Sequence, residues 1–144
     1  MMKKITLVLI CILVATCTLI ACSKSNTNPL DGTSWNLQEY RDSSGELVSP
    51  AQGAVVTALF QADVVSGIAA CNNYSGEYSI DKNNLTFGPT ASTKKMCVEL
   101  GIMELETAYL TALTQVKTFK QTDMTLEMFS DRGDSLLVFR PAGQ

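Results

Sequence analysis

The chain has 144 residues, a formal net charge of −3, no histidine and five cysteines. Without histidine, Ser-His-Asp, Cys-His and His-ligated metal chemistry are all removed. The acidic balance, with no basic run to serve as a phosphate-binding footprint, excludes nucleic acid as an expected partner, and the length suits a single domain.

Lys3 and Lys4 precede an apolar run from Ile5 to Ile20, which Ala21 and Cys22 follow. A positive segment, a short apolar segment and a small-residue cut site mark residues 1–21 as an export leader. The run is too short, and too closely followed by polar residues, for a membrane span. Leu19-Ile20-Ala21-Cys22 resembles the lipobox of bacterial lipoproteins. That resemblance implies lipidation of the Cys22 sulfur, cleavage before it and acylation of the new amine, giving a multi-chain membrane anchor where one myristoyl chain would be marginal. The alternative is an ordinary cleaved signal peptide with a chance cysteine. Ser23 after the cysteine, by analogy with lipoproteins, favours delivery to the outer membrane, on its periplasmic face or the cell surface.

Loss of Lys3 and Lys4 leaves nine basic against fourteen acidic side chains. Cys11 and Cys17 leave with the leader and Cys22 is the lipid site, so Cys71 and Cys97 remain. In an exported chain two leftover cysteines point to a disulfide rather than a metal site, the other reading being two buried thiols acting as small hydrophobes. Closing such a loop stabilises by roughly 3 kcal/mol in the chain-entropy model. Residues 22–30 then read as lipidated cysteine and flexible tether, and 31–141 as the folded domain.

In the domain, Trp35 to Tyr40 alternates apolar and polar residues as a strand with one buried face does. Arg41 to Pro50 reads as a loop. Ala54 to Phe60 and Val64 to Ala70 read as strands joined by a short turn at 61–63. Cys71-Asn72-Asn73 reads as a tight turn, the asparagine side chains bonding local backbone rather than a ligand. Glu77 to Ile80 and Leu85 to Phe87 flank Asp81-Lys82-Asn83-Asn84 as a second hairpin, and Pro89 to Thr93 reads as a loop. Tyr74 and Tyr78 are placed to share a strand face, as core aromatics or as an exposed recognition patch.

From Val98 to Val116 the period becomes helical, with Ile102, Met103, Leu105, Tyr109, Leu110, Leu113 and Val116 on one stripe. Gly101 delays the helix start, and Glu99 and Glu104 suit the positive end of its dipole. Glu106 falls on or beside the stripe, which leaves two readings: an edge carboxylate paired with a lysine or a backbone amide, or a partly buried acid of raised pKa in a site. Lys117 to Gln121, Met124 to Ser130 and Ser135 to Arg140 complete the pattern as strands, the last apolar enough to be central. The expected fold class is α+β, a curled and largely antiparallel sheet of about eight strands with one helix packed on it.

Trp35, Phe60, Ser66-Gly67, Cys71-Asn72 with Tyr74, Gly76 and Tyr78, Thr93 with Cys97, and Met103 with Glu106, Tyr109 and Leu113 together resemble the META domain of HslJ-like envelope lipoproteins. Ala70 departs from the pattern, which often has glycine there. The resemblance associates the chain with the bacterial envelope, the heat-shock response and antibiotic resistance, and it implies no catalytic residue. Ser92-Thr93-Lys94-Lys95 fits a Ser-x-x-Lys pattern without the partner motifs that chemistry needs. The chain is therefore expected not to be an enzyme and to use no cofactor or metal. Two functions follow. One is a non-catalytic envelope lipoprotein that binds the membrane through its lipid and touches another envelope protein, supporting stress tolerance. The other is a carrier holding a small apolar ligand, with the sheet as cup, the helix as lid and methionines 96, 103, 124 and 128 lining the cavity.

Overall fold

The computed structural model describes residues 28–143; the leader, Cys22 and the tether up to residue 27 lie outside the described residues. Among the described residues nine strands and one helix follow in order: β1 (Ser34–Arg41), β2 (Leu47–Val48), β3 (Thr57–Gln61), β4 (Val64–Ala69), β5 (Asn72–Asp81), β6 (Asn84–Ser92), α1 (Ile102–Gln115), β7 (Thr118–Gln121), β8 (Leu126–Phe129) and β9 (Ser135–Pro141). Every strand pairing is antiparallel. β1 pairs with both β3 and β9, so the curled sheet closes on itself as a barrel of eight strands, with the short β2 hairpinned onto one end of β1. Closure leaves no long unpaired edge.

Strand periodicity sets which side chains enter the barrel. Trp35, Leu37, Ala58, Phe60, Val65, Ala69, Tyr74, Tyr78 and Leu85 alternate inward, and Leu126, Met128, Leu137 and Phe139 complete the core from the other half. An eight-stranded barrel is just wide enough for side chains to fill, and Phe60, Leu85, Met128 and Phe139 are 0% exposed. β9 is paired to both β8 and β1, and its apolar run is unbroken because Leu137 and Phe139 fill the interior while Leu136, 3% exposed on the other face, lies beside α1. Leu30 is fully buried with this core, and the Asn28 amide donates to the Tyr78 hydroxyl at 2.6 Å.

The sheet is weakest between β6 and β7, which meet at Asn84 and Thr118. Beyond that point α1 takes over, touching β1, β4, β6 and β9 across one end of the barrel. It starts at Ile102, with Gly101 as its cap at φ 83°, a left-handed conformation that glycine adopts without penalty. The helical period expected from Val98 therefore begins only after the glycine. Val98 and Leu100 instead belong to an exposed loop.

Two local expectations are corrected. β6 runs through Gly88 and Pro89 to Ser92, where a loop was expected. A register shift sets Glu77 opposite the Gly88-Pro89 pair, a bulge at which proline's missing N–H costs the ladder nothing. Asn72 and Asn73 are the first residues of β5 rather than a turn. The turn is Ala70-Cys71, with Ala69 paired to Asn72 and Ala70 at φ 64°. The alanine is held in that conformation by donating its N–H to the Val55 carbonyl at 3.1 Å.

Candidate functional site

The residues singled out in the sequence converge at the end of the barrel where the β4–β5 turn, the loop before α1 and the helix meet. Cys71 and Cys97 are disulfide-bonded, their Cα atoms 5.9 Å apart. This ties the loop to the sheet.

Asn72, 1% exposed, follows directly. Its side-chain oxygen accepts from the Lys95 N–H and the Thr93 hydroxyl, each at 2.7 Å. Its side-chain nitrogen donates to the Lys95 carbonyl at 3.1 Å and to Glu106 Oε1 at 3.0 Å. Two donor hydrogens and two acceptor sites are thereby all used, which is the full capacity of a primary amide. The Thr93 hydroxyl in turn accepts from the Asn73 N–H at 3.2 Å.

Glu106 is 7% exposed on the buried face of α1, and its Oε2 accepts the Asn72 backbone N–H at 2.8 Å. The pairing with a backbone amide named in the first sequence reading is present, at a buried position on the stripe rather than its edge. A carboxylate there would be costly alone, and charge-assisted bonds to two amide donors offset its desolvation. The buried Glu106 side chain thus joins helix to sheet.

Beneath it lies a second polar chain. Tyr74 donates to the Thr57 carbonyl at 3.1 Å, so in its 2.6 Å contact with Tyr109 the Tyr109 hydroxyl is the donor. Their rings meet edge to face with centroids 5.4 Å apart, and Tyr109 also packs on Phe139. Burial pushes both phenols well above the ordinary tyrosine range. Tyr78 is a core aromatic too, edge-on to Phe60 at 5.0 Å, and burial raises its pKa against the opposing hydrogen bond from Asn28. Tyr74 and Tyr78 share the inner face and form no surface patch. Gly67, also in the motif, lets the chain pass: a Cβ there would sit 2.1 Å from the Thr57 carbonyl oxygen.

Sequence reasoning missed three participants, namely the Lys95 main chain, the Thr57 carbonyl and the Thr93 hydroxyl in its bonding role. Backbone groups carry no side-chain signature. Of the methionines proposed to line a cavity, Met128 is core, whereas Met96 and Met124 are 83% and 54% exposed. Among the described residues no group of three or more Cys, Asp or Glu side chains converges as a metal site.

On the outside, a groove of about 790 Å³ runs between α1 and the start of the β1–β2 hairpin. Tyr40, Met103, Ala108, Ala112 and Leu136 form its apolar walls, with Arg41, Asp42 and Glu104 among its polar groups.

These features define a small closed antiparallel barrel, plugged by its own side chains and capped by one helix, with a disulfide and a buried Asn-Glu pair locking the cap. The chain belongs to the META domain family, whose model matches residues 28–143. It is similar to a protein from Burkholderia xenovorans solved by NMR, at 30% identity and a TM-score of 0.66 over 80% of this chain and 85% of that one. A second NMR structure is 22% identical, with a TM-score of 0.60 over 78% and 92%. A crystal structure of a DUF4847 family protein from Bacteroides vulgatus ATCC 8482, 10% identical, shares the fold at a TM-score of 0.56 over 81% and 96%. No curated protein matches the chain.

Proposed function

We propose that this META-domain protein is a lipid-anchored, non-catalytic module of the bacterial envelope that acts by presenting a rigid recognition surface. One observation carries the reading. The polar groups of the Asn72–Glu106 network bond to one another and to backbone, and what they brace is a loop that holds Met96, Val98 and Leu100 at 83%, 94% and 97% exposure. Large apolar side chains on a preorganised loop suit binding, because their ordering cost is met during folding. The lipobox-like Leu19-Ile20-Ala21-Cys22 supports the anchor, Ser23 supports the outer membrane, and the family resemblance supports a part in heat or antibiotic tolerance.

The carrier reading needs an interior of a few hundred Å³. Phe60, Leu85, Met128, Phe139 and Tyr109 occupy that space, so the module reading is the better supported.

The experiment follows the full chain in a bacterial envelope with an alkyne analogue of palmitate, beside Cys22→Ser. Label on the wild type, its loss from the variant, and a membrane-bound wild type are expected. Heat and antibiotic survival of a deletion strain complemented by wild type or by Met96→Ser/Val98→Ser/Leu100→Ser then tests the role. An unlabelled cytosolic protein would sink the anchor, and full complementation by the loop variant would sink the recognition surface.

A further inference from the structure

We propose that the exposed loop between β6 and α1 docks into the α1/hairpin groove of a second copy of this chain, the two copies exchanging loops about a two-fold axis. This deepens the reading just given and rests on it for the loop's role as a recognition surface.

The loop is exposed and apolar at Met96, Val98 and Leu100, while Lys94 and Lys95 outnumber Glu99. The groove is concave and apolar, and Asp42 and Glu104 outnumber Arg41, whose guanidinium donates to the Ser135 and Gly45 carbonyls. Hydrophobicity and charge sign are therefore complementary. Leu100 and Met103 lie on either side of Gly101, so loop and groove adjoin on one protomer. Adjoining complementary patches allow two copies to meet about a two-fold axis, each loop in the other's groove, the isologous arrangement that closes as a dimer.

A bilayer is a poorer occupant. Glu99 sits between Val98 and Leu100, and a carboxylate among the inserted side chains is costly. Asn28, where the tether enters, contacts Ala62 and Tyr78 at one end of β4, while Cys71 follows the other end. Six strand residues separate the ends by about 20 Å. The loop and Asn28 thus lie at opposite ends of β4.

An interface of one loop and one groove per copy is at the small end, so the contact is weak in dilute solution. Confinement of anchored copies to one membrane raises their effective concentration.

The test places a photo-reactive benzophenone amino acid at position 100 of the full chain in its own membrane, with palmitate labelling of the same samples. Illumination is expected to give an adduct of twice the chain mass, its link mapping to peptides from 103–115 of the second copy. Glu104→Lys, or Lys94→Glu with Lys95→Glu, is expected to lower adduct yield at least fivefold, and all three together to restore it. A change that merely damaged the fold would not be rescued. Monomer alone, an adduct with another protein or with lipid, a link elsewhere on the chain, or no rescue overturns the proposal. Palmitate-labelled monomer overturns self-docking only, whereas absent label refutes the anchor and leaves adduct formation to decide self-docking separately.

Discussion

Truncating Glu106 to alanine removes a buried carboxylate that joins helix to sheet. In the native protein it accepts the Asn72 backbone N–H at 2.8 Å and the Asn72 side-chain amide at 3.0 Å. Asn72 is 1% exposed, so water does not replace the lost acceptors. The side-chain amide keeps its bond to the Lys95 carbonyl, leaving the backbone N–H as the full orphan. An orphaned buried donor costs about 1–3 kcal/mol, and a bond to a charged group contributes about 1.5–3 kcal/mol. Release of the carboxylate from its own desolvation offsets part of this. The expected net loss is about 2–4 kcal/mol for Glu106→Ala, and about half that for Glu106→Gln, which keeps one acceptor oxygen. Trp35, the only tryptophan and 3% exposed, reports unfolding by fluorescence in a guanidinium titration. Asn72→Ala with Glu106→Ala is expected to cost less than the two single losses added, by about 1–2 kcal/mol, because each removes the same bonds. A Glu106→Ala protein within about 0.5 kcal/mol of wild type, the range of an ordinary surface change, would refute the claim that this pair locks the helix.

The other expectations concern the neighbouring structure. Because Tyr74 and Tyr109 hold their protons in the folded state above the ordinary pKa of 10.0, unfolded chains release protons first as pH rises. Their stability contribution is complete below pH 10 and is lost above it, at about 1.4 kcal/mol per pH unit for each phenol. Denaturant titrations from pH 8 to 12 should show this slope reduced in Tyr109→Phe, and an unchanged slope would count against it. Gly67→Ala drives a Cβ into the Thr57 carbonyl and should cost about 3 kcal/mol or more, while Gly88→Ala, whose nearest neighbour is the Glu77 carbonyl oxygen at 3.6 Å, should cost far less. Equal losses in the two variants would contradict the close approach. Cys71 and Cys97 are 26 residues apart, so reducing the bond should lower stability by about 3 kcal/mol through chain entropy, read as a lower guanidinium midpoint in reductant.

Much of this fold was legible from periodicity. Inward alternation at Trp35 and Leu37, and at Leu126 and Met128, is a local property that burial confirms residue by residue. The helix start after Gly101 was legible because glycine's conformational cost is also local. β2 was hidden in an expected loop because two residues are too few to show a period. Pro89 concealed the extension of β6, since only the partner strand's register reveals that a bulge excuses it. Asn72 was misplaced into a turn for a related reason. Its side chain suits turns, yet here it is engaged by Thr93 and Lys95 on a segment more than twenty residues away.

The sequence by itself determined the inward and outward faces, the helix and the choice of Cys71 and Cys97 as the pair left over. These follow from side-chain chemistry and spacing within one segment. Tertiary structure alone decided that β1 meets β9 to close the barrel, that Glu106 answers the Asn72 amide, and that Tyr74 and Tyr109 share a proton chain. Those contacts join groups 34 to about a hundred residues apart, several of them through backbone atoms that every residue carries, so no local pattern encodes them.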